Sequence, residues 1–311
     1  MSNDDVISRL RSDDVNARQL AIMELAERAD ASLLDPVLEA AADADATVRR
    51  LAIALLEDLG EPRAAGTLIA ALDDADADVR AAAASALREL RHESVVEPLL
   101  AAARHPRPGV RQAALVALRE HKDPRALPAL GEALVDPEPA VRREAVLGLG
   151  YLRQPSSAPA LLLRLADLDP TVRRLAVGAL GFIADPMLVP DLVAALADRD
   201  WQVRAEAAIV LGRLAVPASV VALQGGLLDP TWQVRKESAT ALGRLKVSRA
   251  AAALIDRLAD QVADVRRAAA AALGELGARQ AIARLRALAE DADAEVKKTA
   301  LRTIARLEPR Q

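Results

Sequence analysis

Few residues in this chain are of types and spacings that could do chemistry. The three histidines are His92, His105 and His121. Glu93 follows the first and Glu120 precedes the last, and imidazole with carboxylate is a ligand set that suits a metal ion. One His-Glu step and one reversed Glu-His step make no repeated ligand pattern, so no metal is expected. There is no cysteine, which excludes disulfides, thiolate metal sites and a cysteine nucleophile. No glycine-rich phosphate loop, serine elbow or histidine-centred triad is present. The many carboxylates include no pair whose surroundings would separate their pKa values for acid and base work. The expectation is a protein without catalysis and without a cofactor.

The charged residues with a regular spacing are of another kind. A Val-Arg step recurs as Val48-Arg49, Val79-Arg80, Val110-Arg111, Val141-Arg142, Val172-Arg173, Val203-Arg204, Val234-Arg235 and Val265-Arg266, every 31 residues. Ala17-Arg18 and Val296-Lys297 extend the series to ten units without insertion or deletion. Five positions before most of these valines stands an aspartate: Asp43, Asp74, Asp136, Asp167, Asp198, Asp229, Asp260 and Asp291, with His105 in that place in one unit. A period of this length signals a repeat architecture, and a repeat decides the fold before any single motif does.

The elements that position these residues are helices. After each register valine, apolar and small residues fall at helical spacing, as in Val234 through Leu245. A shorter amphipathic segment precedes it, as in Ala126 through Leu134. Between them lie turns such as Asp136-Pro137-Glu138-Pro139, an acidic cap followed by proline where a helix start tolerates it. Gly60 and Gly277 stand where helices should end. Apolar residues make up 52% of the chain but only four are aromatic, so alanine and leucine must fill the interior; this suits closely packed helices and argues against sheet. One helix pair cannot bury its apolar face alone and must stack on its neighbours. The expected fold is all-α: a right-handed α-solenoid of ten 31-residue helix pairs forming a single array over residues 1–311.

The unit Asp-Pro-x-x-x-Val-Arg-x-x-Ala-x-x-Ala-Leu-Gly, written here from Asp229-Pro230 to Leu242-Gly243, resembles the HEAT repeat, in the variant named for phycobilisome lyases. The resemblance covers essentially the whole chain. The strict period is also similar to that of engineered HEAT-like arrays, whereas divergence between units is the mark of a natural chain. The family implies that the recurrent Asp and Arg form a ladder between successive layers, hence framework and not a phosphate-binding stripe. It also implies that second helices line a concave surface.

Residues three, six and ten after the register valine share one helical stripe. Position ten reads Glu27, Asp58, Glu89, Glu120, Tyr151, Phe182, Arg213, Arg244, Glu275 and Arg306, passing from acidic through aromatic to mixed and basic. Trp201 and Trp232 lie two positions before their valines, where other units place proline. Glu144, Glu206 and Glu237 lie three positions after, and Gly178 leaves a gap in the stripe. Large aromatics beside charges are the composition of a binding hot spot. The expected partner-binding residues are therefore Tyr151, Phe182, Trp201 and Trp232 as anchors, with Glu144, Glu206, Glu237, Arg213 and Arg244 selecting charge.

The expected function is a protein-binding scaffold or adaptor that holds a partner protein or peptide in its concave groove, serving assembly or regulation of a larger enzyme. The family resemblance also allows an accessory factor that handles a cofactor or chromophore, like the bilin lyases. A net charge of −4 gives no general attraction to phosphate backbones, so neither nucleic acid nor membrane is the expected partner. The acidic start, Met1-Ser2-Asn3-Asp4-Asp5, reads as neither signal nor anchor, and a cytoplasmic setting is expected.

Overall fold

The computed structural model describes residues 3–28 and 31–308. Among them every regular element is a helix or a 3-10 turn, and the helices come in pairs: the protein is an α-solenoid. It divides into two compact units, residues 1–152 and 153–311, although the sequence repeat runs through this boundary unbroken. In the first unit the second helices are Val15–Ala26, Ala46–Leu59, Ala77–Glu89, Pro108–His121 and Pro139–Leu152. In the second they are Pro170–Ile183, Trp201–Leu214, Trp232–Leu245, Ala263–Leu276 and Ala294–Leu307.

First helices are shorter than second helices. The segment expected from Ala126 to Leu134 forms an α-helix only over Leu127–Ala133, entered through a 3-10 turn at Pro124–Ala126 whose N–H groups are met by Asp123. Most second helices begin on an acidic cap as expected, Asp45 accepting the Val48 N–H at 3.0 Å and Asp169 the Val172 N–H at 2.9 Å, whereas Arg107, Thr231 and Val262 hold the cap position of three others without a side-chain cap bond. Gly60 and Gly277 end their helices at φ 62° and 68°. Lys122, Ala184, Ala215 and Lys246 adopt the same left-handed conformation without being glycine, so the layer geometry, and not the residue, dictates the stop.

Each register valine from Val48 to Val296 is buried, as is the leucine eight positions later from Leu56 to Leu273. These two positions and the small residue between them form the stripe that faces the paired first helix.

The ladder ties layers together within each unit. Arg18 donates to Asp43 at 2.7 Å, Arg49 to Asp74 at 2.8 Å and Arg111 to Asp136 at 2.7 Å. In the second unit Arg173 pairs with Asp198, Arg204 with Asp229, Arg235 with Asp260 and Arg266 with Asp291, at 2.7 to 2.9 Å. In each pair Nε and Nη2 grip the two carboxylate oxygens in a fork, while Nη1 donates to the carbonyls of the arginine's own turn, as Arg173 does to Asp167 and Leu168. The aspartate also accepts the N–H two residues on, as Asp198 does from Asp200 at 2.8 Å. Burial alone would raise the Asp198 carboxyl, but Arg173 and that N–H hold it below the ordinary carboxylate range.

Candidate binding face on the second helices

Every residue singled out for binding lies on a second helix, where the repeat fixes its height and direction. In the first unit Arg119, which the sequence reading did not single out, organises the site. From helix Pro108–His121 it reaches the next second helix, donating to Glu144 at 2.6 Å and lying 5.7 Å from the centre of the Tyr151 ring. Burial pushes the Glu144 carboxyl above its ordinary range, with Arg119 pulling the other way. Tyr151 remains 54% exposed.

In the second unit Phe182 sits between two guanidinium groups, Arg153 at 5.0 Å and Arg213 at 4.4 Å from the ring centre. Arg213 stands ten positions after its valine, as Phe182 does in the preceding layer, so the stripe aligns from layer to layer. Glu275 and Arg306, at the same position in the last two layers, form an ion pair. Arg244 is exposed and has no ion-pair partner among the described residues.

Glu206 is half-buried. It fills the gap at Gly178, where its Oε1 lies 3.3 Å from the place a Cβ would take. Among the described residues it has no hydrogen-bond or ion-pair partner. Burial raises its carboxyl; Arg174 and Arg213 lower it from a distance and Glu237 raises it further. Glu237 differs, pairing with Lys236 at 2.9 Å. Lys236 lies 5.8 Å from the ring of Trp232, one helical turn before it.

Trp201 and Trp232 open their helices, the first 37% exposed and the second half-buried. Trp201 and Arg213 are twelve residues apart on one helix, which corresponds to roughly 18 Å along its axis. Along the helix axis Trp201 therefore stands at one end and Arg213 near the other, with Glu206 between them in height, and the helical repeat of 3.6 residues per turn rotates Trp201 about 140° away from Glu206. The two repeat positions that carry aromatics, two before and ten after the register valine, are thus separated by nearly the length of a second helix.

The sequence reading also missed a cleft of about 620 Å³ on the last three second helices, lined by Glu237, Arg267, Arg302 and the Glu275–Arg306 pair among others. Its mixed charges come from positions that look like ordinary solvated surface when each repeat is read alone.

The histidines do not converge. His92 Nδ1 lies 2.8 Å from Ser94 Oγ, His105 Nδ1 accepts the Arg107 N–H at 3.2 Å, and burial lowers the pKa of His121. Among the described residues no three histidine, aspartate or glutamate side chains stand close enough to hold a metal ion. No described helix is long and apolar enough to cross a membrane.

With the repeated pairs and their ladder in view, the chain matches the family described as HEAT repeats over residues 3–88, 66–138, 128–198, 189–274 and 258–311. It belongs to the HEAT-repeat family. No curated protein matches it. Among solved structures it is similar to an engineered protein at 21% identity, covering 99% of both chains with a TM-score of 0.53. It is also similar to Escherichia coli YibA at 22% identity, covering 82% of this chain and 95% of that one, with a TM-score of 0.63. Importin beta matches at 15% identity over 98% of this HEAT-repeat chain, with a TM-score of 0.68. The HEAT-repeat chain spans half the length of importin beta. At these identities the likeness speaks for the fold alone.

Proposed function

We propose that this HEAT-repeat protein is a non-catalytic adaptor that holds a partner protein or peptide on its second helices, in assembly or regulation of a larger enzyme. The observation that carries this reading is Glu206: a half-buried carboxylate without a partner among the described residues, its pKa raised by burial, at a height on its helix between the exposed Trp201 and Arg213. A lysine or arginine of a bound peptide would supply the missing cation, and leaving that carboxylate unpaired costs the free protein stability. The roughly 18 Å between Trp201 and Arg213 suits an extended segment better than a compact ligand. Solenoid layers hold these groups in place beforehand, which lowers the ordering cost of binding.

The same reading places the chain among phycobilisome-lyase-type repeats, in the cytoplasm, with neither nucleic acid nor membrane as partner. A peptide-array screen of the whole protein, followed by titration of its tryptophan fluorescence, tests it. Basic peptides with an aromatic residue are expected to bind and to shift the emission of Trp201 or Trp232, with Glu206→Gln weakening binding about tenfold. Equal binding by wild type, Glu206→Gln and Trp201→Ala would overturn it.

A further inference from the structure

The ladder has one defect within the first unit, and it coincides with a cleft. Arg80 is posed like its counterparts: Nη1 donates to the carbonyls of Asp74 at 2.7 Å and Ala75 at 2.8 Å. Its Nε and Nη2, the fork that elsewhere grips an aspartate, have no acceptor among the described residues. His105 occupies the aspartate's position, and its Nδ1 accepts the Arg107 N–H. The ring therefore carries its proton on Nε2 and has no second acceptor to offer Arg80. The layers are clamped here instead by Arg107, which donates to the Asp73 carbonyl at 2.8 Å and also pairs with its carboxylate.

Beside this fork, helices Ala77–Glu89 and Pro108–His121 enclose a cleft of about 350 Å³. Arg80, Arg88 and Gln112 line it, over a floor of small side chains such as Ala84 and Ala113. No acidic residue lines it. Arg88 is exposed and makes only a long contact to Ser85 at 3.4 Å. A protein with more acidic than basic residues thus keeps two arginines here without a carboxylate.

We propose that this cleft binds an extended acidic segment of a partner protein, one of whose carboxylates completes Arg80 as aspartate completes the other ladder arginines. The fork presents the geometry that matches a planar carboxylate in two parallel bonds. Arg80 and Arg88 are eight residues apart, roughly 12 Å along their helix. In an extended chain, side chains on one face four residues apart are separated by roughly 13 Å. Two acidic residues at that spacing meet both arginines, which a single small anion cannot do. The site is built from other residues than Glu206 and asks for the opposite charge, so its success or failure is independent of the adaptor site proposed above.

The test uses the full chain with ¹⁵N-labelled arginine and the peptide acetyl-Asp-Gly-Ser-Gly-Asp-amide. The Arg80 Nε–H resonance is expected to shift on titration. The Asn-for-Asp analogue of the peptide is expected to leave it in place. His105→Asp returns the ladder residue found in the other layers, so it should fold, as circular dichroism would show. It should also melt higher than wild type and weaken peptide binding about tenfold or more by filling the fork internally. Arg88→Gln is expected to weaken binding without abolishing the Arg80 shift. Equal binding by wild type and His105→Asp, equal binding of the neutral analogue, or an Arg80 resonance that no peptide moves would each overturn the proposal. A shift produced by inorganic phosphate and not by the peptide would overturn it in favour of a free-anion site.

Discussion

In the second unit the residue nine positions after the register valine is glycine in Gly181, Gly212, Gly243 and Gly274; the first unit has glycine there only in its last layer, at Gly150, and places Glu57, Arg88 and Arg119 there in the three layers before it. A Cβ on Gly212 would lie 2.7 Å from the Cα of Ala241, and one on Gly243 would lie 2.8 Å from the Cα of Ala272. Second helices there meet backbone to backbone, and no side chain fits between them. In those three layers of the first unit the same position carries long charged side chains, of which Arg119 gathers Glu144 and Tyr151 and Arg88 lines a cleft. The ladder differs in the same sense, running through the aspartates of the second unit and failing at His105 in the first. One repeat thus yields a tightly seamed unit and a looser one with unsatisfied cations.

The largest effect expected from breaking this contrast is in the ladder. Arg173 is 4% and Asp198 12% exposed. Arg173→Ala should therefore cost about 3 kcal/mol, because it strands a mostly buried carboxylate. Arg80→Ala, which strands none, should change stability by less than about 0.5 kcal/mol; urea unfolding of both variants measures the difference. The ladder aspartates have lowered folded pKa values. Their stabilisation is therefore present above the unfolded aspartate value of about 3.9 and is lost as pH falls through the folded values. Arg173→Ala should flatten the acid limb of a melting-temperature profile.

Next comes a single substitution with opposite signs in the two units. Gly212→Ala should destabilise by about 2 kcal/mol through the clash with Ala241. Gly131→Ala, where a Cβ meets nothing within 4 Å, should stabilise by roughly 0.5–1 kcal/mol by removing glycine from a helix. Thermal melts of both variants report the signs directly.

The core between first and second helices of the second unit carries a flaw among the described residues. The Ser238 hydroxyl is buried without a hydrogen-bond partner at a position where most units place alanine. Ser238→Ala should raise stability by about 1 kcal/mol, read from the urea midpoint.

The smallest effect separates the two half-buried glutamates. The folded pKa of Glu206 is raised, so its contribution is fully present below the unfolded value and is lost as pH rises through the folded one. Glu206→Gln should remove that loss, and the variant should gain on wild type as pH rises from about 4 to 7. Glu144→Gln should gain less, because Arg119 then loses the nearer of its two carboxylates and keeps only Glu120 at 3.5 Å. Melting temperatures across that pH range rank the two.

The sequence by itself determined the period, the helix pairs, the buried valine and leucine stripe and the ladder partners. Each of these is repeated, so a single physical requirement is written many times over and noise in any one unit averages out. Tertiary structure alone decided what the irregular residues do. Sequence phase put Tyr151 and Phe182 in one pair and Trp201 and Trp232 in another, and all four were expected as anchors of one groove, but the helix length separates the two phases; Arg119 and Arg153 gained their roles only from the groups they meet. Among the described residues Glu206 stands without a partner and Glu144 has one because of which side chain the adjacent layer presents. No reading of one repeat contains its neighbour's side chains.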